Sequence, residues 1–152
     1  MLKLRIIVVA CAVCASVFAT AQEPVKPDDA AQYRQSLMNI IGWNLRPLRA
    51  MAKGDQPFDA AAFAKHSARI ANTSDQLLEG FPKGSDVARD TRAKADIWAN
   101  WDDFQAKLKD FDTQAKLLVD VSKANDETKS KEQLKNLTQT CKACHNKYEA
   151  KR

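Results

Sequence analysis

Close to the C-terminus of this 152-residue chain stands the run Cys141-Lys142-Ala143-Cys144-His145. On a helix, positions i, i+3 and i+4 share a face, so both sulfurs and the imidazole would point the same way. Two thiols so placed can add across the two vinyl groups of one porphyrin as thioethers. The adjacent histidine can then offer an imidazole nitrogen to the iron as proximal ligand. C-x-x-C-H is the attachment sequence of haem c. The competing chemistries fit less well. A structural zinc site needs four ligands, and the only other histidine, His66, is far away in sequence. A thioredoxin-like pair would open a helix within a strand-helix pattern, whereas this pair sits near the end of the last helical stretch. A disulfide between Cys141 and Cys144 on a small helical adaptor is the remaining reading.

The iron's other side has few candidates. Beyond the first residues the only methionines are Met38 and Met51. Met38 follows Leu37 beside an apolar stripe, where it could approach a haem from the face opposite His145. Two readings stay open: a thioether ligand giving six-coordinate, low-spin iron, or a flexible apolar side chain filling the distal pocket. His66, between Lys65 and Ser67, reads as a surface or rim residue.

Helices must position these groups. The sequence is poor in glycine and proline, and no stretch alternates with period two, but four stretches show the helical period. The first runs from about Asp28 to Lys53 with the stripe Tyr33, Leu37, Ile40, Ile41, Leu45, Leu48 and Met51. Pro27 and Asp28-Asp29 suit its start, Gly54 its stop, and Pro47 should kink it or loosen a turn. The second follows Pro57 with Asp59 as N-cap, and ends at Gly80-Phe81-Pro82. A long loop then reaches about Lys94. The third begins near Asp96 with the seam Ile97, Trp101, Phe104, Leu108, Phe111, Ala115 and Leu118. The fourth begins near Thr128 and carries Leu134, Leu137, Cys141, Cys144, His145 and Tyr148. Short first–second and third–fourth connections predict an all-α, antiparallel four-helix bundle over residues 22–152, holding one covalent haem c.

Residues 1–21 read differently. Lys3 and Arg5 precede an apolar run from Ile6 to Phe18, and Ala19-Thr20-Ala21 offers small residues for cleavage. This is the pattern of a secretory signal peptide, too short to span a bilayer stably. Its removal takes away Cys11, Cys14 and two bases, lowering the formal charge from +5 to +3. So small a charge, with acids and bases interleaved, argues against nucleic acid as a partner. The expected location is the periplasm.

The chain resembles the class II c-type cytochromes, the cytochrome c′ and cytochrome c-556 family. The likeness rests on Tyr33-Arg34-Gln35-Ser36, Ala52-Lys53-Gly54 followed by Pro57-Phe58-Asp59, Thr91-Arg92-Ala93-Lys94 before Ile97-Trp98, and the haem motif on the last helix with Tyr148. The resemblance implies that Arg34 and Gln35 lie beside haem propionates, that Arg92 borders the haem, and that Trp98 and Tyr148 pack around the porphyrin. At the position of Met38, c-556 relatives ligate iron with methionine, whereas cytochromes c′ cover a vacant site. Many cytochromes c′ place arginine four residues after the ligand histidine; here Glu149 stands there.

Two functions follow as expectations. The first is mono-haem electron transfer to periplasmic redox partners. The second is nitric oxide or carbon monoxide binding at a vacant distal site. No acid, base or nucleophile cluster suggests an enzyme. The resemblance also implies a homodimer through the first two helices; two readings of Trp43 stay open, a contact in that dimer or a side chain buried within the monomer.

Overall fold

The computed structural model describes residues 25–151. The expected signal peptide, with Cys11 and Cys14, lies outside them.

Helix α1 spans Pro27–Lys53. Proline suits a first helical turn, where its missing N–H has no partner to lose, and Asp28 and Asp29 complement the helix dipole there. Pro47 does not end the helix, although it removes the N–H that would pair with the Trp43 carbonyl. Gly54 closes α1 in the left-handed region at φ 82°, its N–H meeting the carbonyls of Ala50 and Met51. Within the expected stripe, Leu37, Ile41, Leu45, Leu48 and Met51 are buried, but Tyr33 and Ile40 are exposed. Trp43, 65% exposed, shares that outward side with Ile40.

Helix α2 spans Ala60–Ser74, capped by Asp59, which accepts from the Ala62 N–H at 3.0 Å. It stops earlier than the sequence predicts. The Ser74 hydroxyl lies 2.8 Å from the Ala71 carbonyl and 2.7 Å from Asp112 Oδ1, and such local bonding competes with helix continuation. A 3-10 turn over Leu77–Gly80 carries the chain onward.

The third predicted helix is divided. A single turn, α3 (Asp96–Ala99), precedes α4 (Trp101–Ser122). Asn100 between them leaves the helical region at φ −125°, its side-chain amide donating to the Asp96 carbonyl at 2.9 Å. The seam survives, with Ile97, Phe104, Leu108, Phe111, Ala115 and Leu118 buried. Helix α5 spans Glu127–Tyr148, with Asp126 accepting from the Lys129 N–H at 2.9 Å.

α1 packs on α2, α2 on α4 and α4 on α5, whereas α1 and α5 touch little. The bundle therefore leaves a slot between its first and last helices. The loop from Phe81 crosses one end of this slot and is stitched to the end of α5. The Lys94 N–H donates to the Tyr148 carbonyl at 3.0 Å, and the Ala150 N–H to the Arg92 carbonyl at 2.8 Å. No helix among the described residues is long and apolar enough to cross a membrane.

Candidate functional site

The slot consists of two adjoining clefts of about 460 and 330 Å³, within the range of small-molecule and cofactor sites. Met38, Leu108, Cys144 and His145 line both. Arg34, Gln35 and Arg92 line the larger cleft, and Cys141 the smaller. Seven of these residues, the candidate ligands, tethers and propionate neighbours, thus border one slot. Met38 comes from α1, the C-x-x-C-H residues from α5, and Arg92 from the loop that crosses one end of the slot.

Cys141 and Cys144 are free thiols on the slot-facing side of α5. Burial pushes both above the ordinary thiol value, Cys144 to about 11. A redox dithiol needs a stabilised, accessible thiolate, and burial here disfavours the thiolate. Their arrangement suits covalent attachment instead.

The His145 Nδ1 lies 2.8 Å from Glu149 Oε2. A carboxylate oxygen accepts, so Nδ1 carries a proton, and in the neutral imidazole Nε2 then keeps its lone pair. That tautomer is the one a metal-binding imidazole needs.

Arg34 is not a solvated surface charge. It is 4% exposed, because it falls on the buried stripe between Ala30, Ala31 and Leu37. Its Nη1 donates to the Gly80 carbonyl and the Ser85 hydroxyl, both at 3.0 Å; its Nη2 donates to the Ser85 carbonyl at 3.1 Å and Thr91 Oγ1 at 2.6 Å. The guanidinium also lies over the Phe81 ring, 5.1 Å from its centroid. Burial lowers its pKa. Among the described residues no carboxylate pairs with it, and a buried unpaired cation calls for an anion nearby. The propionates of a haem would supply such an anion, so the residues present fit the group.

Gln35 is exposed at the rim and donates to the Asp90 carbonyl. Arg92 pairs with Glu149 Oε1 at 2.9 Å. Tyr148 lines the larger cleft. Trp98 lines neither cleft; its ring packs on Phe81 and its Nε1 donates to the Pro82 carbonyl at 3.2 Å. It supports the loop at one remove from the slot. His66 is likewise remote, its Nδ1 2.9 Å from Asn44 Oδ1.

Sequence reasoning assigned no role to three participants. Ser85 and Thr91 carry no periodic signal because they lie in the loop. Glu149 stood out only as an unexpected charge, although its spacing of four from His145 was a signal for the bond.

The family model described as Cytochrome C′ matches residues 29–149. A curated relative, cytochrome c′ of Halomonas halodenitrificans, is 32% identical over 130 residues, covering 82% of this chain and 98% of its own. Among solved structures, cytochrome c prime from Shewanella frigidimarina superposes with a TM-score of 0.80 at 37% identity, covering 83% of this chain and 98% of that one. The nitric oxide complex of a point mutant of cytochrome c prime from Alcaligenes xylosoxidans gives 0.79 at 27%, covering 86% and 100%.

Proposed function

The chain belongs to the cytochrome c′ family, and from that premise we propose that it is a periplasmic mono-haem electron carrier. Haem c, when bound, supplies one-electron Fe(III)/Fe(II) chemistry. Cys141 and Cys144 would tether it through thioethers, and His145 would offer a nitrogen to its iron. Arg34 brings an unmatched positive charge to the mouth of the larger cleft. Gln35 and Arg92 line the same mouth. Phe104, Leu108 and Phe111 give the clefts an apolar wall. An apolar wall favours the less charged iron state and raises the potential.

The observation that carries this reading is the pairing of Met38 and His145, which line the same two clefts from α1 and α5. A thioether and an imidazole bordering one slot would suit low-spin iron that changes oxidation state with little rearrangement.

A second reading is favoured by the nitric oxide complex of the Alcaligenes relative. In it Met38 only covers a vacant iron site, where nitric oxide or carbon monoxide binds. Absorption and electron paramagnetic resonance spectra of the ferric holoprotein, compared with Met38→Ala, separate the two. A low-spin signal with a far-red sulfur-to-iron band, lost in the variant, supports the carrier. A high-spin signal unchanged by the substitution overturns it in favour of the gas-binding protein. A homodimer through the outward face of α1, at Ile40 and Trp43, belongs to either reading.

A further inference from the structure

We propose that Glu149 is a positioning residue for the proximal ligand: clamped by Arg92, its carboxylate fixes the His145 ring and enriches the nitrogen that faces iron. The inference rests on His145 as the axial ligand and adds a determinant of the potential that the C-x-x-C-H motif does not contain.

The carboxylate's two oxygens are divided. Oε2 takes the Nδ1 proton of His145 at 2.8 Å, and Oε1 meets Arg92 Nη1 at 2.9 Å. Arg92 is itself held, its Nε and Nη2 donating to the Ala150 carbonyl at 3.2 and 3.1 Å. Backbone pairing of Ala93 with Glu149 locks the loop to the tail. This is not an ordinary pair along a helix. The helix ends at Tyr148, and Glu149 has extended dihedrals of −110° and 133°. The carboxylate is therefore aimed by the turn of the chain as well as by its spacing. An imidazole that donates to a carboxylate gains imidazolate character, and second-shell partners of this kind raise ligand basicity. A more basic ligand stabilises Fe(III) over Fe(II) and lowers the potential. The triad is about half exposed, with side-chain exposures of 46% for His145, 31% for Glu149 and 45% for Arg92. Solvent therefore moderates the effect without removing it.

The test uses Glu149→Gln and Glu149→Ala holoproteins in a Met38→Ala background, so that ferrous iron is five-coordinate whichever role Met38 has. Resonance Raman reads the iron–histidine stretch, and a redox titration reads the potential. The expected result is a lower stretching frequency in both variants. The reduction equilibrium should move about tenfold toward Fe(II), equivalent to about 59 mV upward. A stretch and a potential both unmoved would make Glu149–Arg92 a surface ion pair and overturn the inference, leaving His145 as ligand. Absence of any iron–histidine stretch in the parent would overturn the inference together with the ligand reading beneath it. Glu149→Gln keeps the side chain's size and an acceptor oxygen, so the comparison survives if the alanine variant fails to fold.

Discussion

A Cβ built on Gly80 would lie 2.6 Å from the Cβ of Arg34 and 3.2 Å from its Cα. The 3-10 turn after α2 therefore touches α1 where only a glycine fits, and Arg34 donates to the carbonyl of that same glycine. One contact sets how near the loop can approach, and the other holds it there. Through Ser85 and Thr91 the same guanidinium fixes the loop that forms the mouth of the slot.

Gly80→Ala should therefore destabilise the fold. The added methyl meets side chain and backbone of α1 rather than a flexible tip, and overpacking of this kind costs about 1–3 kcal/mol. Urea unfolding of the holoprotein measures it. A midpoint equal to the parent's would show that the loop gives way freely and that the contact does not fix its position.

Arg34→Met removes the cation and every donor at once. The carbonyls of Gly80 and Ser85 lose their partner in a buried setting, where an unsatisfied group costs about 1–3 kcal/mol. The expected loss is thus several kcal/mol, with Arg34→Lys intermediate because an ammonium cannot reproduce the planar fork. A lysine variant as stable as the parent would show that charge alone, without the fork, holds the loop. Chemical denaturation again gives the numbers.

The same residue shows what the sequence could and could not convey. The period of the apolar residues made four helices legible, and the C-x-x-C-H spacing made the cofactor legible, because both are local patterns. The break at Asn100 was not legible, since a side-chain bond to the Asp96 carbonyl replaces one helical turn inside an unbroken seam. The early end of α2 at Ser74 depends on a contact with Asp112, far away in sequence. Arg34 falls on the buried stripe, but its type suggested solvent. Only the loop, which has no periodicity to read, explains its burial.

Asp103 gives the fold a pH dependence. The Tyr148 hydroxyl, and after it Lys147, hold the Asp103 carboxyl below its ordinary value. A carboxyl depressed in the folded state contributes stability above its unfolded pKa of about 3.9. That contribution is lost as pH falls through the folded value. Tyr148→Phe keeps the edge-to-face packing on Phe104, whose ring centroid is 5.3 Å away, and removes the hydroxyl. The variant should be less stable than the parent at pH 7, and the gap should narrow below about pH 4. Thermal melts across pH 3 to 7 check it, and a gap constant over that range would mean that Asp103 is not the partner that matters.

The outward face of α1 should hold the dimer. Trp43 is 65% exposed and Ile40 47%, and large aromatic side chains are enriched at interface centres. Trp43→Glu should shift the holoprotein toward monomer in sedimentation while leaving its haem spectrum unchanged, because neither residue lines the clefts. A parent that sediments only as a monomer at all concentrations would end the dimer reading.

The two cysteines should act in parallel as tethers. Each single substitution, Cys141→Ser or Cys144→Ser, leaves one thioether and His145, so haem should stay covalently attached with a red-shifted band from its free vinyl. The double variant keeps only the axial bond and the slot's packing, and haem should leave it on a denaturing gel. Losing a covalent tether also removes the high effective concentration that keeps the cofactor seated. The double variant should then melt at a lower temperature, and added haem should restore part of the difference by mass action. The alternative, a Cys141–Cys144 disulfide on a haem-free helical adaptor, predicts the opposite pattern: either single substitution would have the full effect, and added haem would change nothing.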